Sequence, residues 1–294
     1  MNRIIYSKPK VLIKSQTILG EGPIWNYKTS ELTFVDITSQ KFFIWKNNIL
    51  KSFALEFKIS CLLPCRAKDN WIATSKDKII KITKKNTKIK FKIIKKVNEP
   101  RQNRFNDGKC DCLGRLWLSS MDNEEKIPSG KLWFVNSITR PKVIEDKFIV
   151  GNGIDWSPNN KIFYFVASDK RKIYSYSFNI KTGELSNKKI LIKVPKKRGY
   201  PDGICTDAEG FIWVAYWNGS CVIRHFADGK IDKVIKLPIK RPTSLTFGGK
   251  NLNLLFITSA RTFHKKNMKV EKNSGNIFVI KTNIKGNKTN FYKN

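Results

Sequence analysis

The sequence predicts an all-β fold: a six-bladed β-propeller of four-stranded antiparallel blades around a central channel, with residues 1–294 forming one domain. Three observations lead there. Long amphipathic helical patterns are absent, and short β-rich runs alternate with turns along the whole chain, with no Pro/Gly/Ser-rich linker. Two segments 96 residues apart, Asp111-Cys-Leu-Gly-Arg-Leu-Trp117 and Asp207-Ala-Glu-Gly-Phe-Ile-Trp213, share the pattern D-x-x-G-x-[LI]-W. Aromatic anchors recur at Phe34, Trp71, Trp117, Phe163, Trp213 and Phe256, about 44 residues apart on average, which is the period of a propeller blade.

Each repeat has its own signature. Blade 1 is marked by Glu31-Leu-Thr-Phe34, blade 2 by Asp69-Asn-Trp71, and blades 3 and 5 by the two full motifs. Blade 4 shows the looser Pro158-Asn-Asn-Lys-Ile-Phe163-Tyr164, and blade 6 shows Leu254-Leu-Phe256. A four-stranded blade cannot bury both faces alone, so the anchors read as packing between blades. The most basic stretch, Lys78 to Lys96, sets Lys88, Lys90 and Lys92 against Ile89, Phe91 and Ile93. That period of two predicts an outer strand with its lysines in water.

Composition narrows the function classes. The chain carries 57 Lys+Arg against 23 Asp+Glu, for a formal charge of +34, yet 46 of the 57 are lysine. A reader of nucleic acid would favour arginine, whose planar fork matches phosphates and guanine edges. The surplus of Lys, Asn and Ile, all with AT-rich codons, reads as compositional drift, and no specific nucleic-acid partner is expected. Six cysteines include no C-x-x-C pair, and His225 and His264 are isolated, so free buried thiols are expected and a Cys/His zinc site is not. No secretory apolar core follows Met1. The longest uncharged apolar run, Phe211 to Trp217, has seven residues, against the roughly 20 that span a bilayer. These features predict a cytoplasmic protein without a membrane partner, and they specify no oligomeric state.

The chemistry lies at one phase of the repeat. Asn106, Asn152 and Asp202 each stand 11 residues before their anchors Trp117, Phe163 and Trp213, and Glu21 stands 13 before Phe34. Equal phase in different blades means equal height around the axis, so the four side chains should converge at one end of the channel. Taken singly, Asn152-Gly153 and Asp202-Gly203 read as ordinary turn dipeptides; four oxygen-bearing side chains in register read as a site. Such a set without His or Cys selects one hard divalent cation, Ca²⁺, Mg²⁺ or Mn²⁺, with Zn²⁺ reachable through the carboxylates.

Several segments together give a family resemblance. Leu19-Gly-Glu21-Gly-Pro-Ile-Trp25, Arg104-Phe-Asn106-Asp107-Gly108-Lys109, Gly151-Asn152-Gly153-Ile-Asp155-Trp156-Ser157, Pro201-Asp202-Gly203 and Asp207-Ala-Glu-Gly210 occur in order, followed by Phe247-Gly-Gly-Lys-Asn251 and Thr258-Ser-Ala-Arg261. In these the chain resembles the SMP-30/gluconolactonase family, which includes the calcium-binding regucalcins. The resemblance implies a six-bladed propeller with one catalytic divalent cation that hydrolyses sugar lactones. It puts metal ligands on Glu21, Asn152 and Asp202, and substrate contacts on Arg104, Asn106 and Glu124. Ala167 before Ser168, and Leu118-Ser119-Ser120 before Met121, depart from the family pattern.

The mechanism expected from this set has the cation polarising the lactone carbonyl, Asp202 activating water, and Arg104 and Asn106 orienting substrate oxygens. No G-x-S-x-G elbow competes as a nucleophile. The alternative is a non-catalytic, calcium-binding propeller, which would keep the metal set without needing Arg104 and Asn106.

Overall fold

A computed structural model describes residues 5–86, 88–136, 139–261 and 270–293; His264 lies outside the described residues. The chain opens with β1 (Lys10–Ile13) and then builds blade 1 from β2 (Gly20–Asn26), β3 (Glu31–Asp36), β4 (Lys41–Lys46) and β5 (Ile49–Ala54). Blade 2 holds β6 (Leu62–Pro64), β7 (Asn70–Ser75), β8 (Lys78–Lys85) and β9 (Lys88–Lys96). Blade 3 holds β10 (Asn103–Cys110), β11 (Leu116–Asp122), β12 (Gly130–Val135) and β13 (Lys142–Phe148). Blade 4 follows with β14 (Gly151–Trp156), β15 (Ile162–Ala167), β16 (Lys172–Phe178) and β17 (Leu185–Lys193), and a single 3-10 turn, Lys196–Arg198, leads onward. Blade 5 contains β18 (Tyr200–Thr206), β19 (Ile212–Trp217), β20 (Cys221–His225) and β21 (Ile231–Lys236). Blade 6 takes β22 (Pro242–Gly248), β23 (Leu254–Ser259) and β24 (Ile277–Lys281) from the end of the chain and its outermost strand, β1, from the beginning.

The six blades therefore form the predicted all-β propeller, and its ring is closed by a strand that carries no repeat signature. Lys10 pairs with Val279 and Val11 with Phe278. First strands touch first strands all the way round, β2 against β6 and on through β10, β14, β18 and β22 back to β2. They run in one direction, so residues early in each inner strand share one mouth of the channel and residues late in each share the other.

All six predicted anchors sit on the second strand of their blades, and all are buried. The core is divided into six apolar clusters, one between each pair of adjacent blades. The anchors reach across these seams: Trp117 lies 4.8 Å from Phe163, Trp213 lies 5.5 Å from Phe247, and Trp25 lies 5.6 Å from Phe256. Offset and edge-on pairs of this kind add attraction beyond the area they bury.

The D-x-x-G-x-[LI]-W motif works through its aspartate. Asp111 Oδ1 accepts the amides of Leu113 and Arg115, while Oδ2 accepts Arg115 Nε at 2.6 Å and Trp117 Nε1 at 3.2 Å. Asp207 repeats the arrangement with the amides of Glu209 and Phe211 on Oδ1, and Trp213 Nε1 and Arg224 Nε, both at 2.9 Å, on Oδ2. One buried carboxylate thus closes the turn, fixes the anchor indole and pairs an arginine. Arg224 is itself buried and also meets Glu209 and Asp232.

Strand β9 is the outer strand of blade 2, as its alternation predicts, but its apolar side is only partly covered: Ile89 packs on the seam with blade 1 and Phe91 meets Phe57 edge-on, while Phe91 and Ile93 remain 48% and 49% exposed. Its place at the ring's rim leaves no further layer to pack on it. The six cysteines are free, and burial pushes the Cys61 thiol up to about 12. Among the described residues no helix is long and apolar enough to cross a membrane.

The C-terminal segment crosses the mouth reached by the late ends of the inner strands. Asn287 Nδ2 donates to Thr206 Oγ1 at 3.0 Å, Thr289 Oγ1 to the Trp25 carbonyl at 2.7 Å, and Asn290 Nδ2 to the Cys110 carbonyl at 3.2 Å. The Tyr292 amide then reaches the Pro64 carbonyl. One extended segment thereby ties blades 5, 1, 3 and 2 together and stoppers that end of the channel.

Two stability predictions follow from these contacts. Asp207→Ala strands a buried guanidinium and an indole N–H, and should lower the unfolding free energy by about 3–5 kcal/mol in chemical denaturation. Buried His225 bonds Tyr216 Oη and the Gly229 carbonyl, each at 3.0 Å. Burial lowers its pKa from 6.5 to about 4. The unfolded chain then binds more protons than the folded one between these values, so stability is full above 6.5 and falls as pH drops toward 4, by about 3 kcal/mol. His225→Gln should show a correspondingly flatter loss over that window; an identical slope in both proteins would refute the assignment.

Candidate functional site

A regular strand points alternate side chains to opposite faces, so an inner strand ordinarily aims every second residue toward the channel. Five of the six inner strands interrupt that alternation with one extra residue. The shift lies between Glu21 and Ile24 in β2, Phe105 and Gly108 in β10, Gly151 and Ile154 in β14, Pro201 and Ile204 in β18, and Pro242 and Leu245 in β22. These are β-bulges at one common height, and such bulges re-aim side chains. Asn106, Asn152 and Asp202 are bulge residues, while Glu21 stands one position earlier and is the longer side chain.

The Asn-Gly and Asp-Gly dipeptides are consequently mid-strand features, where the turn reading would have put them between strands. Their glycines answer to close approach. A Cβ on Gly153 would lie 2.7 Å from the Asp202 carbonyl and the Ile204 nitrogen, and one on Gly203 would lie 2.2 Å from Ser244 Oγ. Adjacent bulges are in contact, and only glycine admits that spacing.

Hydroxyls on the second strands satisfy the backbone that the bulges free. Ser119 Oγ accepts the Asp107 amide at 3.1 Å and donates to the Asp107 carbonyl, and Thr258 Oγ1 treats Ser244 likewise. The Ser119 substitution noted in the sequence therefore supplies a bulge clamp.

Glu21, Arg104, Asn106, Asn152 and Asp202 all line a cavity of about 490 Å³ at the early-end mouth. Asn152 Nδ2 donates to Ser168 Oγ at 3.2 Å, and Ser168 Oγ donates onward to the Pro201 carbonyl at 2.6 Å. Asp202 is buried, and its Oδ1 has no hydrogen-bond partner among the described residues. Asn106 is engaged at both ends: Oδ1 accepts Arg104 Nη1 at 2.8 Å and Nδ2 donates to the Gly151 carbonyl at 2.9 Å. It orients Arg104 and seams blades 3 and 4 from a position in the cavity lining, within the region where the sequence suggests a substrate contact.

Charge in the cavity is out of balance without a further cation. Burial, and after it the negative charge of Asp107, raises the Glu21 carboxyl to about 8. Burial and then Glu21 hold Asp202 well above the usual carboxylate range. Burial disfavours the Arg104 charge, against which Glu21, Glu125 and Asp202 act. The half-buried Glu21 carboxyl, the buried Asp202 carboxyl with its unpartnered oxygen and the Asn152 side-chain amide oxygen compose an all-oxygen donor set that fits a hard divalent cation. The described residues hold no group of three or more His, Cys, Asp or Glu side chains that would form a metal cluster by themselves, so the amide is integral to the set.

Glu124 is not brought to this cavity. Its carboxylate meets Lys126 Nζ at 2.8 Å with both side chains largely in solvent. The turn bonds the Glu125 amide to the Asp122 carbonyl and puts Glu125 at φ 55°, and that left-handed step directs Glu125 to the cavity lining instead. Sequence reasoning also missed Ser168, Asp169, Tyr200, Trp217 and Arg241, all of which line the cavity. Ser168 and Asp169 left a signal, at the Ala167-Ser168-Asp169 departure.

Comparison with known proteins bears on the family and the fold. Residues 19–261 match the family model described as the SMP-30/Gluconolactonase/LRE-like region. Regucalcin of Danio rerio is 35% identical over 259 residues, covering 86% of each chain, and regucalcin of Homo sapiens is 32% identical over 272 residues, covering 89% of this chain and 90% of that one. The structure of a luciferin-regenerating enzyme superposes with a TM-score of 0.90 at 26% identity, over 97% of this chain and 100% of that one. The calcium-binding regucalcin of Agrobacterium tumefaciens superposes with a TM-score of 0.91 at 22% identity, over 98% of each chain, a likeness of fold.

The bulge contact is open to direct test. Gly153→Ala forces β14 away from β18 and should cost about 1–3 kcal/mol of stability, while Gly210→Ala, at a turn where a Cβ meets nothing closer than 3.9 Å, strains only φ. Equal stability of Gly153→Ala and wild type would rule out the close-approach account.

Proposed function

The chain belongs to the SMP-30/gluconolactonase/LRE-like family, and from that premise we propose that it hydrolyses sugar lactones with the help of one divalent cation. The observation that carries the reading is the buried, unpartnered Asp202 Oδ1, set beside Glu21 in a cavity that also contains Arg104. A purely structural ion would have no use for a half-buried arginine held in the cavity lining by Asn106.

Glu21, Asn152 and Asp202 are the residues that would hold the cation, which when bound supplies Lewis-acid polarisation of a lactone carbonyl. Ser168 accepts the Asn152 amide N–H and so holds that amide in the cavity lining beside Asp202. Arg104 donates to substrate oxygens from an orientation set by Asn106 Oδ1 and the Phe105 carbonyl, and such preset donors lower the entropy cost of reaching the reactive pose. Asp202 accepts the proton of the attacking water on its carboxylate. The ring opens as the ester C–O bond breaks, and that proton leaves on the product. Ca²⁺, Mg²⁺, Mn²⁺ and Zn²⁺ all suit the donor chemistry.

The reading is tested by proton release from glucono-1,5-lactone above the uncatalysed background, after chelation and after return of each of the four cations. Turnover should vanish on chelation, return with at least one ion, and be lost in Asp202→Ala. Arg104→Met should lower kcat/KM by about 100-fold or more, the effect of removing a charged donor to the reacting substrate. A protein that binds a cation tightly and hydrolyses no lactone would instead be the non-catalytic propeller.

A further inference from the structure

The mouth of the cavity is lined unevenly. Leu19, Ile37, Met121, Ile149 and Val150 form an apolar wall contributed by blades 1 and 3 and the step into blade 4. Blades 4 to 6 contribute a wall of another kind. Tyr200 and Trp217 are directly paired across β18 and β19, and each ring carries a guanidinium. Arg171 Cζ stands 3.8 Å from the Tyr200 ring centre and Arg241 Cζ 5.3 Å from that of Trp217.

Both arginines are held. Arg241 is buried and donates from Nε to Asn218 Oδ1 at 2.9 Å. Arg171 Nη1 donates to the carbonyls of Lys196 and Gly199, whereas its Nε and Nη2 make no hydrogen bond among the described residues. The turn it holds, Lys196–Arg198, adds the exposed Lys196 and Lys197. Tyr200 precedes Asp202 by two residues on β18, which separates the shelf from the reacting region by about 7 Å. Apart from the proposed ligands Glu21 and Asp202, the cavity and its rim set Glu125 and Asp169 against Arg104, Arg171 and Arg241.

A guanidinium stacked on an aromatic face is preoriented for two-pronged bonding to a phosphate or carboxylate, and a cluster of cations at a cleft raises the local concentration of anions. We propose that this shelf makes the chain selective for sugar lactones bearing an anionic group, a phosphate ester or a carboxylate, at the end remote from the ring carbonyl. Arg171 is the specificity-determining residue, and Arg241 with the Lys196–Arg198 turn supplies the surrounding positive field. This selectivity rests on the lactonase reading; anion recognition by the shelf is separately measurable.

The test compares glucono-1,5-lactone, its 6-phosphate and a glucarate lactone as substrates, and titrates gluconate and 6-phosphogluconate by calorimetry. The 6-phosphate should show a KM at least about tenfold below the neutral lactone at low salt, with the gap closing as ionic strength rises. Arg171→Gln should erase the gap while changing the neutral KM less than about threefold, a split that a general loss of structure would not give. Because Arg171 also holds the turn, the double variant Lys196→Gln/Lys197→Gln serves as a second probe and should weaken the salt dependence. A gap shared by the glucarate lactone assigns recognition to charge; one confined to the 6-phosphate assigns it to the phosphate. Equal KM values for all three lactones, or equal affinity for gluconate and 6-phosphogluconate, would overturn the proposal. No turnover of any lactone, together with tight binding of 6-phosphogluconate over gluconate, would overturn the lactonase reading and leave the anion shelf standing.

Discussion

A pleated strand alternates its side chains, and a ring of six such strands can present only half of its inner residues to the axis. One extra residue at the same height in five inner strands breaks that rule, and the site is built from the break. Asn106, Asn152 and Asp202 leave the ladder at the bulge, Gly153 and Gly203 let neighbouring bulges touch, and Ser119 and Thr258 bond the backbone that the ladder releases. A side chain aimed by backbone geometry needs little further support. The burden falls instead on the glycines, which must stay small, and on the hydroxyls opposite them.

The surrounding propeller holds those bulges at fixed spacing. Six apolar seams, four of them crossed by aromatic pairs, resist the radial displacement that would separate neighbouring inner strands. Within this frame the Glu21 and Asp202 carboxyls line one cavity where burial above all, and after it neighbouring carboxylates, disfavours their charge, as their upward shifts record. Strain of this kind persists only where the rest of the structure over-determines it.

The scaffold was more legible in the sequence than the site. Anchor spacing follows from blade size, and a large aromatic every 40 to 50 residues survives compositional drift because a seam cannot close without it. The phase argument grouped Glu21, Asn106, Asn152 and Asp202 for the same reason. Bulges were invisible, since an Asn-Gly pair satisfies a turn and a bulge equally well. The choice between Glu124 and Glu125 hinges on one left-handed residue, which no pattern announces. Tyr200, Trp217, Arg171 and Arg241 come from three blades and become neighbours only when the ring curves, so no local window contains their relationship. Strand β1 is four residues long and lies some 270 residues from its partner β24, too short and too distant for periodicity to connect them.

That last separation has a kinetic consequence. Strand β1 stays unpaired until β24 has been made, and the segment that stoppers the channel follows later still, so the ring cannot close before both exist. Five blades can accumulate contacts before that point, but the seam between blades 6 and 1 is sealed only once the late strands are made, with the first inner strand β2 exposed until then. Folding of this propeller is therefore gated by a single long-range closure whose loop entropy is that of nearly the entire chain, and the interval before it is the period when an unsealed edge can pair with a second molecule.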